Sequence, residues 1–295
     1  MVIQVEELVK RYGDVVAVDD LSFAVEQGEI FGLLGPNGAG KTTTIRIIMD
    51  IIQPDGGMVS VLGRLPHQAK DQVGYLPEER GLYRNLKVLD VLVYLAELKG
   101  MPRSQASDRA AMLLERVALD EWSERKVSDL SRGMRQRLQF LAAIVHDPAL
   151  LILDEPFQGL DPVNVERMKG LVAELHQAGK TIILSTHQMN LVEALCDRIL
   201  LVHRGRKVLY GYLDEIKDRY APNVIRVHAT DLPSDLPGVS EIEREDGAFN
   251  LTLVEGTAPE EVLQGLLDHQ VALRAFEVSP VPLEDVFVSA VSEEA

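Results

Sequence analysis

The chain has 295 residues, 46% hydrophobic and 26% charged, as is usual for a globular protein with a sizeable core. Its 46 acidic and 30 basic residues give a formal net charge of −16, which repels phosphate backbones, so nucleic acid is not an expected partner. One cysteine, Cys196, excludes an intramolecular disulfide and is expected to be a small core residue. The first residues do not resemble a secretory signal, and no apolar run approaches the roughly 18 residues of a membrane span. We therefore expect a cytoplasmic protein that acts at a membrane only through a partner.

Apolar patterns predict the elements of the first part of the chain. Strands are predicted at Val2–Val9, Leu21–Val25, Ile30–Leu34, Met58–Leu62 and Val73–Leu76. A helix is predicted from Thr43 to Asp50, and the cluster Gln53–Gly57 is typical of a turn. Apolar residues then recur at helical spacing in three stretches, so residues from about 84 to 146 are expected to form a helical insertion.

The sheet resumes after this insertion. Solid apolar runs predict buried parallel strands at Leu150–Leu153, Thr181–Ser185 and Ile199–Val202, with a helix at Asn164–Gln177 after the first. This alternation indicates a doubly wound α/β core within residues 1–220. The composition changes after Tyr220, and residues 221–295 are predicted to form a small α+β domain. Its predicted elements are strands Val224–Ala229, Val239–Glu243 and Phe249–Val254, helix Pro259–His269, strand Val271–Val278 and helix Leu283–Val291.

A glycine-rich segment follows the predicted strand Ile30–Leu34 and precedes a predicted helix. It fits the pattern G-x-x-x-x-G-K-[ST] and consists of Gly35, Pro36, Asn37, Gly38, Ala39, Gly40, Lys41, Thr42 and Thr43. The glycines let successive backbone N–H groups point at phosphate oxygens, and the helix N-terminus adds partial positive charge. Lys41 is expected to reach the β- and γ-phosphates, and the Thr42 hydroxyl to ligate Mg²⁺. The pattern arises by chance in on the order of one per cent of chains this long. The sequence therefore predicts a nucleoside triphosphate site.

Two acidic residues end the apolar strand Leu150–Leu153. Asp154 is expected beside the phosphate loop, where it can hold Mg²⁺ directly or through water. Glu155 is placed to polarise an attacking water as general base. Farther upstream, Ser131 and Gly133 open a predicted helix and could form a second anion site. Their local sequence alone favours an ordinary helix cap, with Ser131 or Asp129 as the capping residue.

The order of these segments resembles the nucleotide-binding subunit of an ATP-binding cassette (ABC) transporter. The likeness extends over about Val2 to Tyr212. The matching segments, in the family's order, are Gly35–Thr43, Gly74–Glu79, Leu130–Met134, Leu150–Pro156, Gly159–Asp161 and Ser185–His187. ATP and Mg²⁺ are the cofactors that the resemblance implies.

The resemblance also assigns residue roles. Tyr12 would stack on adenine, although a turn tyrosine is the alternative. Ser131 and Gly133 would contact the γ-phosphate of ATP bound to the opposite subunit, and Asp161 would link the two sites. His187 would contact the γ-phosphate of its own subunit. In this family ATP is held between two head-to-tail subunits, here a second copy or a paralogous ATPase, and hydrolysis lets them separate.

Two departures from the family pattern mark a branch. The usual glutamine after Gly-Tyr-Leu-Pro is Glu78, which can still take a metal or water role. The signature Leu-Ser-Gly-Gly-Gln carries Arg132 and Met134. Both departures resemble the prokaryotic sodium-extrusion and multidrug-export branch. The segment Glu78–Tyr83 and the ending Pro282–Phe287 are also similar to that branch. We interpret them as a subfamily mark rather than a loss of activity.

Three functions are compatible with these motifs. The favoured one is the ATPase of an exporter, peripheral at the inner face of the membrane, with Arg80–Leu95 helping to form the groove for a membrane-spanning permease. A soluble ABC-type ATPase of translation, DNA maintenance or cofactor assembly is the alternative. A non-catalytic ATP-gated module is the third, and the intact Asp154, Glu155 and His187 disfavour it. The cargo and the role of the C-terminal domain stay open.

Overall fold

The computed structural model describes residues 1–78, 81–220, 224–233, 235–245, 248–254, 256–278 and 282–293. Glu79, Arg80, Ala221 and Pro222, used in the sequence predictions, lie outside these residues. The chain divides into two compact units, Met1–Leu213 and Asp214–Ser292. The division falls just before the composition change at Tyr220, because the helix ending at Tyr220 groups with the second unit. The functional division at residue 220 stays a prediction.

The first unit alternates strands and helices. Its elements are β1 (Ile3–Tyr12), β2 (Val15–Val25), β3 (Ile30–Leu34), α1 (Lys41–Ile48), β4 (Gly56–Val61), β5 (Val73–Leu76), α2 (Val88–Leu98), α3 (Arg103–Arg116), α4 (Arg132–Ile144), β6 (Leu150–Asp154), α5 (Pro162–Gln177), β7 (Thr181–Thr186), α6 (Met189–Leu195), β8 (Arg198–His203) and β9 (Arg206–Tyr212). Short 3₁₀ turns lie at Pro66–Gln68, Asp120–Trp122 and Val127–Asp129.

A six-stranded sheet in the order β5-β6-β7-β3-β8-β9 forms the centre of this unit. Neighbouring strands are parallel except for the β8–β9 pair. Every residue of β3 and β6 is buried, as strands covered on both faces require. Gly32 in β3 makes room for Cys196, whose sulfur would lie 3.1 Å from an added Cβ. Because the strands are parallel, the carboxyl ends of β3, β6 and β7 meet at one edge, where ligands bind in such sheets.

A separate antiparallel sheet in the order β2-β1-β4 is formed by the N-terminal strands. β1 and β2 are longer than predicted, because they pair as a hairpin up to Tyr12 and Val15. Gly13 turns this hairpin with φ +58°. The extra length places Tyr12 at the tip of the hairpin.

The predicted helical insertion is present between β5 and β6. It consists of α2, α3 and α4, and Pro102 precedes α3, where the fixed φ of proline is compatible with a helix start. None of the helices formed by the described residues combines the length and apolarity that crossing a membrane requires.

The second unit is α+β. Its elements are α7 (Leu213–Tyr220), β10 (Val224–Ala229), β11 (Val239–Glu245), β12 (Ala248–Leu253), α8 (Pro259–Asp268), β13 (Leu273–Val278) and α9 (Leu283–Glu293). An antiparallel sheet in the order β11-β12-β10-β13 packs its apolar face around Val227, Leu251 and Leu266. The prediction of an α/β core with a helical insertion and a small α+β domain is therefore confirmed.

Candidate functional site

The phosphate loop joins β3 to α1 in a conformation that only glycine allows at two positions. Gly35 has φ +144°, and a Cβ there would lie 2.1 Å from the backbone oxygen of Val202. Gly40 has φ +109°, and a Cβ there would lie 2.4 Å from the backbone oxygen of Ala17. Both contacts are closer than real Cβ atoms come to backbone. The loop therefore packs directly on neighbouring backbone and opens at the N-terminus of α1.

Lys41 is the first residue of α1 and is buried, with 7% of its surface exposed. Its Nζ donates to the backbone oxygens of Gly35 at 2.7 Å and Pro36 at 3.2 Å. Burial lowers the pKa of its ammonium group, while the carboxylates of Glu155 and Asp154 oppose that shift. The ammonium thus rests on the loop, in reach of a phosphate bound there.

Asp154 lies at the carboxyl end of β6 and is almost fully buried. Its Oδ1 accepts from the Ser185 hydroxyl at 2.7 Å, and its Oδ2 from the Thr42 hydroxyl at 3.1 Å. Burial raises the pKa of this carboxyl, and the two hydroxyl donors counteract the rise. The structure thus places Thr42 and Asp154, both predicted metal ligands, in direct contact.

These two residues fit Mg²⁺, which keeps several waters and uses one or two carboxylates together with substrate phosphates. Glu78 lines the same cavity as Thr42 and Asp154. In the part of the chain that the structure describes, no group of three or more His, Cys, Asp or Glu side chains forms a metal site by itself. A metal here would need the phosphates and water to complete its coordination.

Glu155 and His187 are brought together at the same edge of the sheet. Glu155 is buried and adopts φ +48°, a conformation that is strained for a non-glycine residue. Its Oε2 accepts from the Thr186 hydroxyl at 3.1 Å. Its Oε1 accepts from the His187 backbone N–H at 3.1 Å and lies 2.7 Å from His187 Nδ1. The two predicted catalytic residues are therefore hydrogen-bonded to each other.

A cavity of about 380 Å³ opens above the phosphate loop. It is lined by Tyr12, Ala17, Asn37, Gly38, Ala39, Gly40, Lys41, Thr42, Thr43, Glu78, Asp154 and Glu155. The Tyr12 ring, at the tip of the β1–β2 hairpin, is half exposed. The described residues that form this lining do not include Ser131, Gly133, Asp161 or His187.

The signature segment forms the start of α4. Ser131, one of the two residues predicted to cap this helix, is the N-cap, and its hydroxyl accepts from the Met134 backbone N–H at 3.2 Å. The Arg132 guanidinium packs against Gly159, where an added Cβ would lie 3.0 Å from Nη2. The arginine of this unusual signature thus contacts the loop that leads to α5.

Asp161 caps α5, accepting from the Asn164 backbone N–H at 3.0 Å and from its side-chain amide at 2.6 Å. The buried Gln136 of α4 donates to the Pro156 carbonyl at 3.0 Å, directly after Glu155. Gln136 was not among the residues predicted to support the site. A polar residue between the apolar positions of a predicted helix is the signal that could have identified it.

Two segments of the chain match known protein families. Residues 18–158 match the ABC transporter family, and residues 211–291 match the C-terminal domain of ATP-binding proteins described as DrrA1-3-like. The chain is 38% identical over 291 residues to the ABC transporter ATP-binding protein YhaQ of Bacillus subtilis, covering 97% of each chain. The chain belongs to the ABC transporter ATP-binding proteins.

Other members of this ABC family support the assignment. The Nod factor export ATP-binding protein I of Ralstonia nicotianae is 35% identical over 307 residues, covering 99% of this chain and 94% of that protein. A solved ATP-binding subunit of an ABC transporter is 32% identical with a TM-score of 0.70, covering 75% of this chain and 93% of that one. The predicted resemblance, including the branch-specific C-terminal extension, is confirmed. The ABC chain is thus an ATPase, and the non-catalytic alternative is set aside.

Proposed function

We propose that this ABC ATPase powers export through a separate membrane-spanning permease, by ATP-driven dimerisation. The observation that carries the proposal is the buried Glu155, held by Thr186 and His187 beside the Asp154–Thr42 pair at the mouth of the phosphate loop. A nucleophilic water and a γ-phosphate would meet at this point.

The phosphate loop, Gly35–Thr43, would cradle the triphosphate with its backbone N–H groups. Lys41 would exchange its two neutral loop carbonyls for charged β- and γ-phosphate oxygens as direct hydrogen-bond partners. Thr42, Asp154 and Glu78 would hold Mg²⁺, which would neutralise charge on the phosphates.

Glu155 would accept the proton of the attacking water as general base. Its Oε1 lies 2.7 Å from His187 Nδ1, so the other ring nitrogen of His187 would be the one to contact the γ-phosphate. Thr186 and the backbone N–H of His187 would hold the carboxylate in place. Glu155 and His187 would therefore act as one hydrogen-bonded unit.

Dimerisation is supported by the position of the signature segment. His187 is absent from the described lining of the cavity, but its hydrogen bond to Glu155 joins it to that site. Ser131, Gly133 and Asp161 are also not among the described lining residues, and the hydrogen bonds of Ser131 and Asp161 stay within the first turns of their own helices. We infer that they act on the site of an opposite subunit in a head-to-tail dimer, formed by a second copy or a paralogous ATPase. Tyr12 would complete the site by stacking on adenine.

The permease is proposed to dock on the segment Arg80–Leu95. Tyr83 and Tyr94 are 53% and 41% exposed and meet edge to face, with ring centroids 5.7 Å apart. Exposed aromatic pairs are common at protein interfaces. Such docking would keep the chain peripheral at the inner face of the membrane, and the export role of the related Nod factor protein supports the outward direction.

Glu155→Gln tests the catalytic part of this proposal. The variant is expected to bind ATP like the wild type and to lose turnover about 10²- to 10⁴-fold, because the amide cannot accept the proton. The exposed Glu166→Gln is the matched control and should keep full activity, since its side chain is 70% exposed on α5. Wild-type hydrolysis by Glu155→Gln would contradict the assignment of the base.

A further inference from the structure

Among the residues that the structure describes, the end of β1 has a strand partner on one side only. Towards β2, its last residue Tyr12 pairs with Val15. Towards β4, pairing ends at Val9 and Gly56. Beyond that point the side chain of Asp55 replaces the missing strand, because its Oδ2 accepts from the Arg11 backbone N–H at 2.6 Å. The Asp55 carboxylate therefore takes the place of a strand partner for the backbone of β1 next to the hairpin tip.

Lys10 lies between this carboxylate and the tyrosine ring. Its Nζ is 3.1 Å from Asp55 Oδ1 and 5.6 Å from the centroid of the Tyr12 ring. Lys10 and Tyr12 are two residues apart on β1, and this distance makes them neighbours although the register with β2 shifts between Lys10 and Arg11. Only 15% of the Lys10 side chain is exposed, and shielding from water strengthens a cation–π contact.

The Tyr12 ring lies next to both the Lys10 ammonium and the nucleotide cavity. Tyr12 lines the cavity above the phosphate loop, whereas Lys10 and Asp55 are not among the described residues that line it. A half-exposed tyrosine loses side-chain freedom when a base stacks on it, which opposes binding. A ring already held by Lys10 has lost part of that freedom beforehand.

We propose that Lys10 and Asp55 are positioning residues for the nucleotide base, holding the Tyr12 ring in the orientation that stacks on it. The inference rests on the adenine-stacking role proposed for Tyr12. It confines the effect of Lys10 to ligands that carry a base, because the triphosphate binds to the loop and not to the ring.

Calorimetric titration of the full chain with ATP and with inorganic tripolyphosphate, both with Mg²⁺, separates base from phosphate binding; every variant and its reference also carry Glu155→Gln, so that ATP is bound but not consumed. Tyr12→Ala should weaken ATP about 5- to 150-fold. Lys10→Met should weaken ATP about two- to fivefold. Both variants should bind tripolyphosphate like the wild type. The double variant should be no weaker than Tyr12→Ala, since Lys10 acts only through the ring.

Three further variants make the test specific. Lys10→Arg keeps the cation and should restore ATP affinity. Asp55→Asn keeps an acceptor for the backbone but removes the charge that faces Lys10, so it should resemble Lys10→Met. Lys70→Met is the matched control, because Lys70 also pairs with an aspartate, Asp50 at 2.7 Å, and should leave ATP affinity unchanged.

The outcomes separate this inference from the function on which it rests. A loss in Tyr12→Ala together with wild-type affinity in Lys10→Met overturns the positioning role alone. Unchanged ATP affinity in Tyr12→Ala overturns the stacking role and this inference with it. An equal loss of ATP and tripolyphosphate in Lys10→Met would show that Lys10 supports the fold and not the base.

Discussion

His146 makes the stability of the first unit depend on pH. It follows α4, its Nε2 lies 3.3 Å from the backbone oxygen of Val73, and its Nδ1 is buried without a hydrogen-bond partner among the described residues. Burial lowers the pKa of its ring to about 4, helped by the Lys99 ammonium and Arg109 and opposed by the hydrogen bond to Val73 and by Asp147. The folded protein therefore keeps this histidine neutral at pH values where an unfolded chain protonates it.

The sign of the effect follows from proton binding. An unfolded histidine has a pKa near 6.5, so below that pH the unfolded chain binds a proton that the folded ring refuses until about pH 4. The stabilisation is thus complete above pH 6.5 and is lost as the pH falls towards 4. Between pH 7 and 5 the loss is about 2 kcal/mol for a fully shielded ring. Partial exposure of the ring reduces it to about 1 kcal/mol.

The assay is denaturant unfolding of the wild type and His146→Gln at pH 7 and 5. Fluorescence of Trp122, the single tryptophan, reports on the first unit. Glutamine can still donate to the Val73 carbonyl but does not titrate, so other titrating groups contribute equally to both proteins. The wild type should lose about 1 kcal/mol more than the variant between the two pH values. Equal losses would refute the reasoning.

Two further predictions concern the supports of the site. Gly35→Ala should lower the unfolding free energy of the first unit by at least about 2 kcal/mol, because its Cβ would lie 2.1 Å from a backbone oxygen of β8. Gly38→Ala is the comparison, because a Cβ there meets none of the described residues, and it should lower the unfolding free energy by about 1 kcal/mol in the same assay. Equal costs would contradict the packing described for the loop. Gln136→Leu should lower the unfolding free energy by about 1–3 kcal/mol and also lower ATP turnover, since it leaves the buried carbonyl of Pro156, next to Glu155, without its donor. Gln139→Leu is its control, because the buried Oε1 of Gln139 accepts no hydrogen bond from the described residues. If Gln139→Leu lowered stability and turnover as much as Gln136→Leu, the contact with the Pro156 carbonyl would not be the cause.

The sequence predicted those parts of the site that lie within one segment or at neighbouring strand ends. Gly35–Thr43 is continuous, and Asp154 and Glu155 directly follow a solid apolar strand, so motif and pattern place them together. Because the carboxyl ends of parallel strands lie at one edge of the sheet, the segment Ser185–His187 lies beside Asp154 and Glu155. The site roles assigned to these residues stay predictions.

Contacts between segments far apart in sequence could not be predicted in this way. β9 is an edge strand with a single buried residue, Leu209, and its apolar run is only three residues long, so the pattern did not predict it. The hydrogen bond between Asp55 and the Arg11 backbone joins residues 44 positions apart in sequence, so no local pattern predicts it. The sequence indicated a turn around Asp55 but not the strand end that its carboxylate completes.

An affinity purification tests the central claim most directly. Tagged Glu155→Gln protein is incubated with ATP and detergent-solubilised membranes of the source cell, with the tagged protein without ATP as control. The proposed function predicts that a multi-span membrane protein is recovered and that ATP changes its amount. Recovery of soluble partners only, or of the protein's own dimer alone, would contradict the exporter function and favour a soluble ABC-type ATPase.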